Sequence, residues 1–398
     1  MAENKEKKVL NVPNLRFPEF EGEWQEKRLS DIADLSKGIG ISKDQLSADG
    51  EPCILYGELY TKYKSETIKE VISKTNIDNT KLVKSKANDV IIPCSGETAE
   101  EIATARCVLK DDVLLGGDLN IIRLHGYDGS FMSYQLNGKR KYDIAKVAQG
   151  VSVVHLYGEH LKNIKTINPG LNEQKKIANL LSLLDVRIST QNKIIDKLQS
   201  LIKGISNRLL YADNSMSIRI EEMLIERSER TKKNNQYEIL SSTVNGIFSQ
   251  RDYFSKDIAS DNNVGYKIIH LHDIVLSPQN LWMGNINFND KFDIGIVSPS
   301  YKVFSIADGF DKKYVAALLK THHALYNYML VSEQGASIVR RNLNYEAFEQ
   351  LVFKIPSLNK QQEIGHVISL LKSQLENANL LIKTYNSQKQ YLFRQMFI

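Results

Sequence analysis

Two stretches of the chain carry a heptad pattern of apolar positions and predict long helices. Residues 169–210 and 356–397 align without gaps, beginning at Pro169 and Pro356. Apolar residues recur at steps of four and three along both stretches, which is typical of coiled coils. The predicted seam residues are Ile177, Leu181, Leu184, Ile188, Ile195 and Leu198 in the first stretch, and Ile364, Ile368, Leu371, Leu375, Ile382 and Tyr385 in the second.

Each of these helices is predicted to begin just after its proline, with Asn172 or Asn359 as the N-cap. About 35 helical residues at ~1.5 Å each make a rod of roughly 50 Å. Gln191 and Lys389 interrupt the seams, and a polar seam residue can fix the register at a cost in stability. We expect the two helices to pack antiparallel on each other, because a globular part separates them. A surface helix packed on its own domain and a homodimeric coiled coil are the alternatives.

The segments before each long helix alternate strand-like runs, glycine-containing turns and a helical patch, which predicts an α+β fold. The helical patch at 131–150 has a counterpart at 312–335, and each leads into a Gln-Gly-x-Ser segment at 149–152 or 334–337. The chain is therefore predicted to be a pseudo-twofold internal repeat. The expected parts are globular domains at 1–168 and 213–355 and coiled-coil helices at 169–212 and 356–398.

The composition is that of an ordinary globular protein, with 42% hydrophobic and 25% charged residues among 398. The chain has no apolar run of about 18 residues for a membrane span, and its first residues lack the apolar core of a signal peptide. Three cysteines without CxxC spacing fit a reducing cytoplasm. The net charge is +5, but residues 172–210 and 359–398 carry +4 and +3, so the rest of the chain carries −2. Bulk charge therefore makes no strong case for DNA binding by the globular parts.

Motifs for catalysis and cofactor binding are scarce in the sequence. It contains no P-loop and no G-x-G-x-x-G motif. The pairs His270/His272 and His322/His323 lack a third ligand at useful spacing, which favours structural histidines over a metal site. Ser95 sits in a turn without an evident base. These observations favour a recognition or scaffold protein without catalytic, cofactor or metal residues of its own.

Basic and amide side chains near predicted turns are the candidates for contact with nucleic acid. Lysine and arginine bind phosphates, and asparagine and glutamine can pair with adenine. The alternative for each of them is a solvated polar surface. The candidates are Lys139, Arg140, Lys141, Lys232, Lys233, Gln279, Asn280, Arg340 and Arg341.

The layout resembles the specificity subunit of Type I restriction-modification systems over nearly the whole chain. The resemblance lies in LRFPEFEGEW, in the QGVS and QGAS segments, and in the pair NPGLNEQKKIANLLSLLD and IPSLNKQQEIGHVISLL. It implies two target-recognition domains, each reading one half of a split DNA sequence, with an antiparallel coiled coil setting the gap. A rod of roughly 50 Å corresponds to about 15 base pairs.

The resemblance also implies partners in the cytoplasm. These are double-stranded DNA, two modification (methyltransferase) subunits that dock on this chain, and two restriction–translocase subunits. S-adenosylmethionine, ATP and Mg are expected only in those partner subunits. A protein–protein scaffold without DNA contact and a self-contained enzyme are the alternative functions.

Overall fold

The computed structural model describes residues 11–150, 153–209, 215–253, 262–334 and 341–398. The chain forms two compact units. The first unit consists of Met1–Asn192 with Leu380–Ile398, and the second unit is Lys193–Asn379.

The first unit contains fourteen short strands among its described residues. They are β1 (Gln25–Arg28), β2 (Ala33–Lys37), β3 (Leu46–Ser47), β4 (Glu51–Ile54), β5 (Thr67–Ile68), β6 (Ser73–Thr75), β7 (Val83–Lys84), β8 (Asp89–Pro93), β9 (Ser95–Gly96), β10 (Arg106–Val108), β11 (Leu114–Leu115), β12 (Leu119–Leu124), β13 (Val154–His155) and β14 (Lys165–Asn168). Its helices are α1 (Leu29–Ile32), α2 (Glu58–Thr61), α3 (Ala99–Ile102), α4 (Gly129–Asn137), α5 (Lys141–Val147), α6 (Gly158–Lys162) and the first part of α7 (Leu171–Leu209).

The second unit has a similar set of elements. Its strands are β15 (Met216–Arg219), β16 (Leu224–Glu226), β17 (Leu240–Thr243), β18 (Gly246–Ser249), β19 (Lys267–His270), β20 (Ile274–Leu276), β21 (Ile286–Phe288), β22 (Ile294–Val297), β23 (Lys302–Ile306), β24 (Ser332–Gln334), β25 (Arg341–Leu343) and β26 (Val352–Ile355). Its helices are α8 (Ile220–Met223), α9 (Gln250–Tyr253), α10 (Lys312–Leu318), α11 (His322–Leu330), α12 (Tyr345–Glu349) and α13 (Leu358–Gln395), whose last turns belong to the first unit.

The core of each unit is built on a pair of antiparallel strands. In the first unit β12 pairs with β8 in a sheet of order β2-β12-β8-β10-β5, beside a second sheet of order β3-β6-β4-β11-β7. In the second unit β23 pairs with β20 in a sheet of order β16-β23-β20-β21. Strand β8 is buried along its whole length, as expected for an apolar run rich in branched side chains.

The internal repeat extends to the globular parts, where the two sequences match poorly. A strand and a one-turn helix begin each unit (β1–α1 and β15–α8), and that first strand pairs with the strand before the long helix. The helical patch predicted at 131–150 is two helices, α4 and α5, separated at Gly138, and the patch at 312–335 is α10 and α11. The same order of elements therefore recurs on different sequences.

A buried glutamine in the first turn of each long helix binds the globular part. In the first unit the Gln174 side chain accepts a hydrogen bond from the N–H of Asp128 (2.9 Å) and donates to the carbonyl of Pro169 (2.7 Å). In the second unit Gln361 accepts from the N–H of Asp311 (3.0 Å) and donates to Pro356 (2.9 Å). Because both aspartates are N-caps, of α4 and α10, each glutamine joins the starts of two helices.

The prediction of Asn172 and Asn359 as N-caps is wrong. Helices α7 and α13 begin at Leu171 and Leu358, so both asparagines lie inside the first turn. The carbonyl of Gly170 accepts the bond from the Gln174 N–H at 3.1 Å, and the carbonyl of Ser357 accepts the bond from the Gln361 N–H at 2.9 Å. These are the first i to i+4 bonds of the helices, so the cap positions are Gly170 and Ser357, two residues before the predicted asparagines.

The two long helices share their apolar seams within each unit. In the first unit the early seam residues of α7, such as Leu181, pack in one core with Leu392 and Met396 near the end of α13. In the second unit Ile205, late in α7, packs with Ile364 and Ile368, early in α13. The helices are thus antiparallel in each unit, which confirms the predicted fold class. All twelve predicted seam residues are buried or half-buried.

The polar seam residue Lys389 sits in a buried ion cluster of the first unit. Its Nζ lies 2.5 Å from a Glu66 carboxylate oxygen and 2.6 Å from one of Asp185. The hydroxyls of Tyr134 and Ser65 donate to Asp185 at 2.8 Å. Burial by itself would raise the pKa of Asp185, but Lys389 and these donors hold it below its ordinary value. Burial raises the pKa of Glu66 despite Lys389. The cluster joins α13, α7 and the globular part.

We expect Lys389→Met to destabilise the first unit, because it removes the one cation that is directly bonded to buried Asp185 and Glu66 in the described ion pairs. The free energy of unfolding at pH 7 should fall by about 3–5 kcal/mol. Because the pKa of Asp185 in the folded protein is below its ordinary value of 3.8, its ionised carboxylate stabilises the fold above pH 3.8, and this contribution is lost as the pH falls further. The difference in unfolding free energy between wild type and variant should therefore become smaller in acid. Denaturant unfolding at several pH values measures this. Lys383→Met, at an exposed position of α13, is the control. A loss no larger than that of the control would contradict the role of the cluster.

Candidate nucleic-acid interface

In both units the chain leaves the central buried strand at an equivalent place. In the first unit β8 is followed by Cys94 and the short strand β9, and in the second β20 is followed by residues 277–280. In each unit a described residue beyond the Gln-Gly-x-Ser segment lies at this place: His155 pairs with Ser95, and the N–H of Arg341 donates to the carbonyl of Gln279. The two edges are therefore equivalent surfaces that carry different side chains.

In the first unit this edge is closed by backbone hydrogen bonds. Strand β13 pairs with β9, with His155 opposite Ser95. Gln149 and His155 exchange both of their backbone bonds, at 2.9 and 2.7 Å. Gly150 has a φ of 126°, and a Cβ there would collide with the carbonyl oxygen of Val153, so this turn requires glycine. These backbone bonds thus hold His155 at a fixed position.

The exposed groups at this edge are aromatic, hydroxyl and imidazole side chains. Ser95 Oγ lies 3.3 Å from His155 Nδ1, and the His155 ring stacks on Tyr157 with centroids 6.2 Å apart. Lys37 Nζ lies 5.6 Å from the centre of the Tyr157 ring. These groups can donate and accept hydrogen bonds and stack on bases, as nucleic-acid binding requires.

A cavity of about 460 Å³ opens beside this edge. The Tyr60 hydroxyl at its wall donates to the carbonyl of Ser95 at 3.1 Å. The neighbouring Cys94 is buried, which raises the pKa of its thiol to about 11 and keeps it protonated at neutral pH. The cavity is lined by Tyr56, Gly57, Tyr60, Thr61, Ser95, Gly96, Glu97, Glu101 and Val153.

In the second unit the structure brings three of the predicted residues together. Strand β25 begins at Arg341, whose N–H donates to the carbonyl of Gln279 at 3.2 Å. The Arg341 guanidinium lies 4.9 Å from the centre of the Trp282 ring and donates to the carbonyl of Met329 at 3.4 Å. The Gln279 side chain is exposed, and Asn280 begins the 3₁₀ turn Leu281–Met283. This edge therefore offers an amide and a stacked cation side by side.

The other predicted residues lie elsewhere. Lys232 and Lys233 are exposed on a turn whose neighbour Asn235 exchanges hydrogen bonds with Asn263, and no described contact joins them to Arg341. Arg340 lies outside the described residues. In the first unit Arg140 donates to the carbonyl of Ile398 at 3.0 Å, so its guanidinium is engaged within the fold.

The histidine pairs form no metal site among the described residues, which contain no group of three potential metal ligands. His270 contacts Glu229 at 2.8 Å instead, and His272 stacks on Phe288. His323 contacts Asn327 at 3.2 Å. Within the described part of the chain, no helix has the length and apolar character needed to cross a bilayer.

The sequence reasoning missed His155, Tyr157, Tyr56 and Lys37 in the first unit and Trp282 in the second. One available signal was the alignment of the QGVS and QGAS segments, which brings His155 close to the position of Arg341. The aromatic residues gave no periodic signal, because they lie on turns.

Comparison with known proteins finds a family similarity in the first part of the chain. Residues 21–200 match the family model described as "Type I restriction modification DNA specificity domain". The "Type I restriction enzyme MjaVIII specificity subunit" of Methanocaldococcus jannaschii is 29% identical over 206 residues, which is 52% of this chain and 45% of that protein. The match thus spans less than half of that relative. The crystal structure of the Type-I restriction-modification system S subunit from M. genitalium superposes with a TM-score of 0.64 at 15% identity. It covers 97% of this chain and 99% of that one, which shows a shared fold.

We expect Trp282→Ala to loosen the edge at Arg341, because the ring no longer supports the guanidinium. An exposed cation–π contact contributes about 0.5–1 kcal/mol, so hydrogen exchange at the Arg341 amide should accelerate about two- to fivefold. Mass spectrometry or NMR measures this rate. Trp282→Phe keeps an aromatic face and should retain most of the protection. Equal exchange in wild type and Trp282→Ala would show that the stack does not hold this strand.

Proposed function

We propose that this chain, whose residues 21–200 match the model of Type I restriction modification DNA specificity domains, is the DNA-recognition subunit of a Type I restriction-modification complex. Each globular unit would read one half of a bipartite site. The observation that carries this proposal is the pair of equivalent edges with different side chains. Ser95 with His155 in one unit and Gln279 with Arg341 in the other provide two different hydrogen-bonding patterns on one scaffold.

The same complex would supply chemistry through other subunits. Two modification subunits and two restriction–translocase subunits would bring S-adenosylmethionine, ATP and Mg, and this chain would add recognition and docking. The long helices support docking because they expose apolar side chains at equivalent positions. Leu183 and Leu370 are 56% and 54% exposed, and Ile194 and Leu381 are 44% and 45% exposed. Exposed aliphatic side chains spaced eleven residues apart lie on one helical face and suit a partner helix.

The test is methylome sequencing of a methylation-deficient host that expresses this chain with its modification subunits. We expect a split motif with a fixed gap that disappears when this chain is omitted. Gln279→Ala should relax one position in one half of the motif, since a bidentate amide–adenine pair discriminates by about 1–3 kcal/mol. Gln350→Ala, exposed in the same unit, should leave the motif unchanged. If the complex assembles and no motif appears, a protein–protein scaffold without DNA reading is the better interpretation.

We further propose that the long helices set the spacer between the half-sites. Insertion of one heptad after Asn192 and another after Asn379 preserves both seams and adds about 10 Å of helix. The spacer in the modified motif should widen by roughly one to three base pairs, while both half-sites stay the same. Methylome sequencing reads both quantities in one experiment. Insertion of seven residues into the exposed turn after Asn245 is the control for chain length. An unchanged spacer in a functional double-insertion variant would contradict this role.

A further inference from the structure

A second cavity of the first unit, of about 340 Å³, lies where the junction of α4 and α5 meets the last turns of α13. Four of its lining side chains are cationic, and a single one is acidic. We call it the cationic cavity; it is lined by Glu66, Thr104, Arg106, Asn137, Gly138, Lys139, Lys141, Gln390, Phe393 and Arg394.

The acidic side chain does not neutralise this cavity, because Glu66 is bonded to Lys389. Arg106 is half-buried and donates to two backbone carbonyls, those of Tyr63 (3.2 Å) and Ala105 (3.0 Å). These bonds orient the guanidinium but leave its charge without a directly bonded carboxylate in the described ion pairs. Burial lowers the pKa of Arg106, and the nearby Glu66 partly opposes this, as expected for a cation held away from water.

The basic surface continues from the cavity along α5. Lys146 Nζ lies 4.4 Å from the centre of the Tyr142 ring, which is 68% exposed. The acidic residue on this helix, Asp143, contacts Arg140 at 3.3 Å. Helix α5 then leads into Gln149 and the edge that carries His155. Cations with an interleaved aromatic ring thus extend from the cationic cavity toward the candidate base-reading edge of the same unit.

We propose that the cationic cavity binds phosphate groups of the DNA backbone. The proposal rests on the proposed function and adds to it the residues that position the duplex. Three exposed or half-buried cations around one oriented guanidinium suit a phosphodiester, which offers several acceptor oxygens. Phosphate contacts fix the register of a protein on DNA without reading sequence. Because they surround a concave site near the base-reading edge, these cations can act although the globular parts have no net positive charge.

The test uses the complex of this chain with its modification subunits and two duplexes, one with the modified motif and one without it. The triple variant Lys139→Gln, Lys141→Gln and Arg394→Gln removes charge while keeping amides of similar length. Arg106 is left intact because it is partly buried. The control is the double variant Lys81→Gln and Lys110→Gln, at exposed lysines of the same unit. Affinity is measured across salt concentrations.

We expect the triple variant to bind both duplexes more weakly and by the same factor. Its plot of log affinity against log salt should be shallower by about 0.9 for each lost contact, or by almost three in all. The recognised motif should stay the same. Wild-type affinity and slope in the triple variant would overturn the proposal. Loss of subunit assembly would also overturn it, since the cations would then bind carboxylates of a partner protein. If the wild-type complex itself retains no duplex, the proposed function fails instead.

Discussion

In each unit the side-chain amide of one buried glutamine joins the globular part to its long helix. Gln174 and Gln361 each bond one backbone N–H, of an aspartate, and one backbone carbonyl, of a proline. Without the glutamine, these buried polar groups would lack a partner, which costs free energy. Because the acceptor bond reaches the N-cap of the helix that covers the sheet, the amide fixes that helix, the sheet beneath it and the loops at the sheet edge. The same constraint acts in both units, so equivalent edges are presented in the same way by sequences that have little else in common.

The polar residues of the seams are where the two units differ. Lys389 is stabilised in the first unit because Asp185 and Glu66 face it. With the repeat aligned, Lys389 corresponds to Ile202 and Asp185 to Lys372. The second unit thus has a lysine at the position of Asp185. Burial and the charge of Lys372 lower the pKa of Lys320 in that unit to about 8. A buried ion cluster is weak evidence for stability but can specify pairing. The cluster therefore favours pairing of the C-terminal part of α13, which carries Lys389, with the N-terminal part of α7, which carries Asp185.

The sequence was sufficient for the features that depend on periodicity and repetition, and insufficient for those that depend on long-range contact. The heptads and the gap-free repeat of residues 169–210 at 356–397 predicted the helices, their antiparallel packing and the repeated unit. The N-cap predictions failed because the helices begin at Leu171 and Leu358, before the asparagines. His155 approaches Ser95 across 60 residues, and Arg140 reaches the carbonyl of Ile398 across 258. Neither contact leaves a local pattern, so the candidate edges were identified in part, through Gln279 and Arg341.

The near-neutral charge of the globular parts agrees with a separation between the residues proposed to read bases and those proposed to bind phosphates. The proposed base reading needs a few hydrogen-bonding groups held rigidly, and the paired strands at His155 and Arg341 would hold such groups without bulk charge. Affinity for the backbone needs positive charge only where phosphates lie. The cationic cavity concentrates that charge against the end of α13, close to helices whose exposed leucines suit protein partners. Under the proposed function, changes at the edges would alter sequence preference, while the glutamine contacts and the seams would keep the scaffold unchanged.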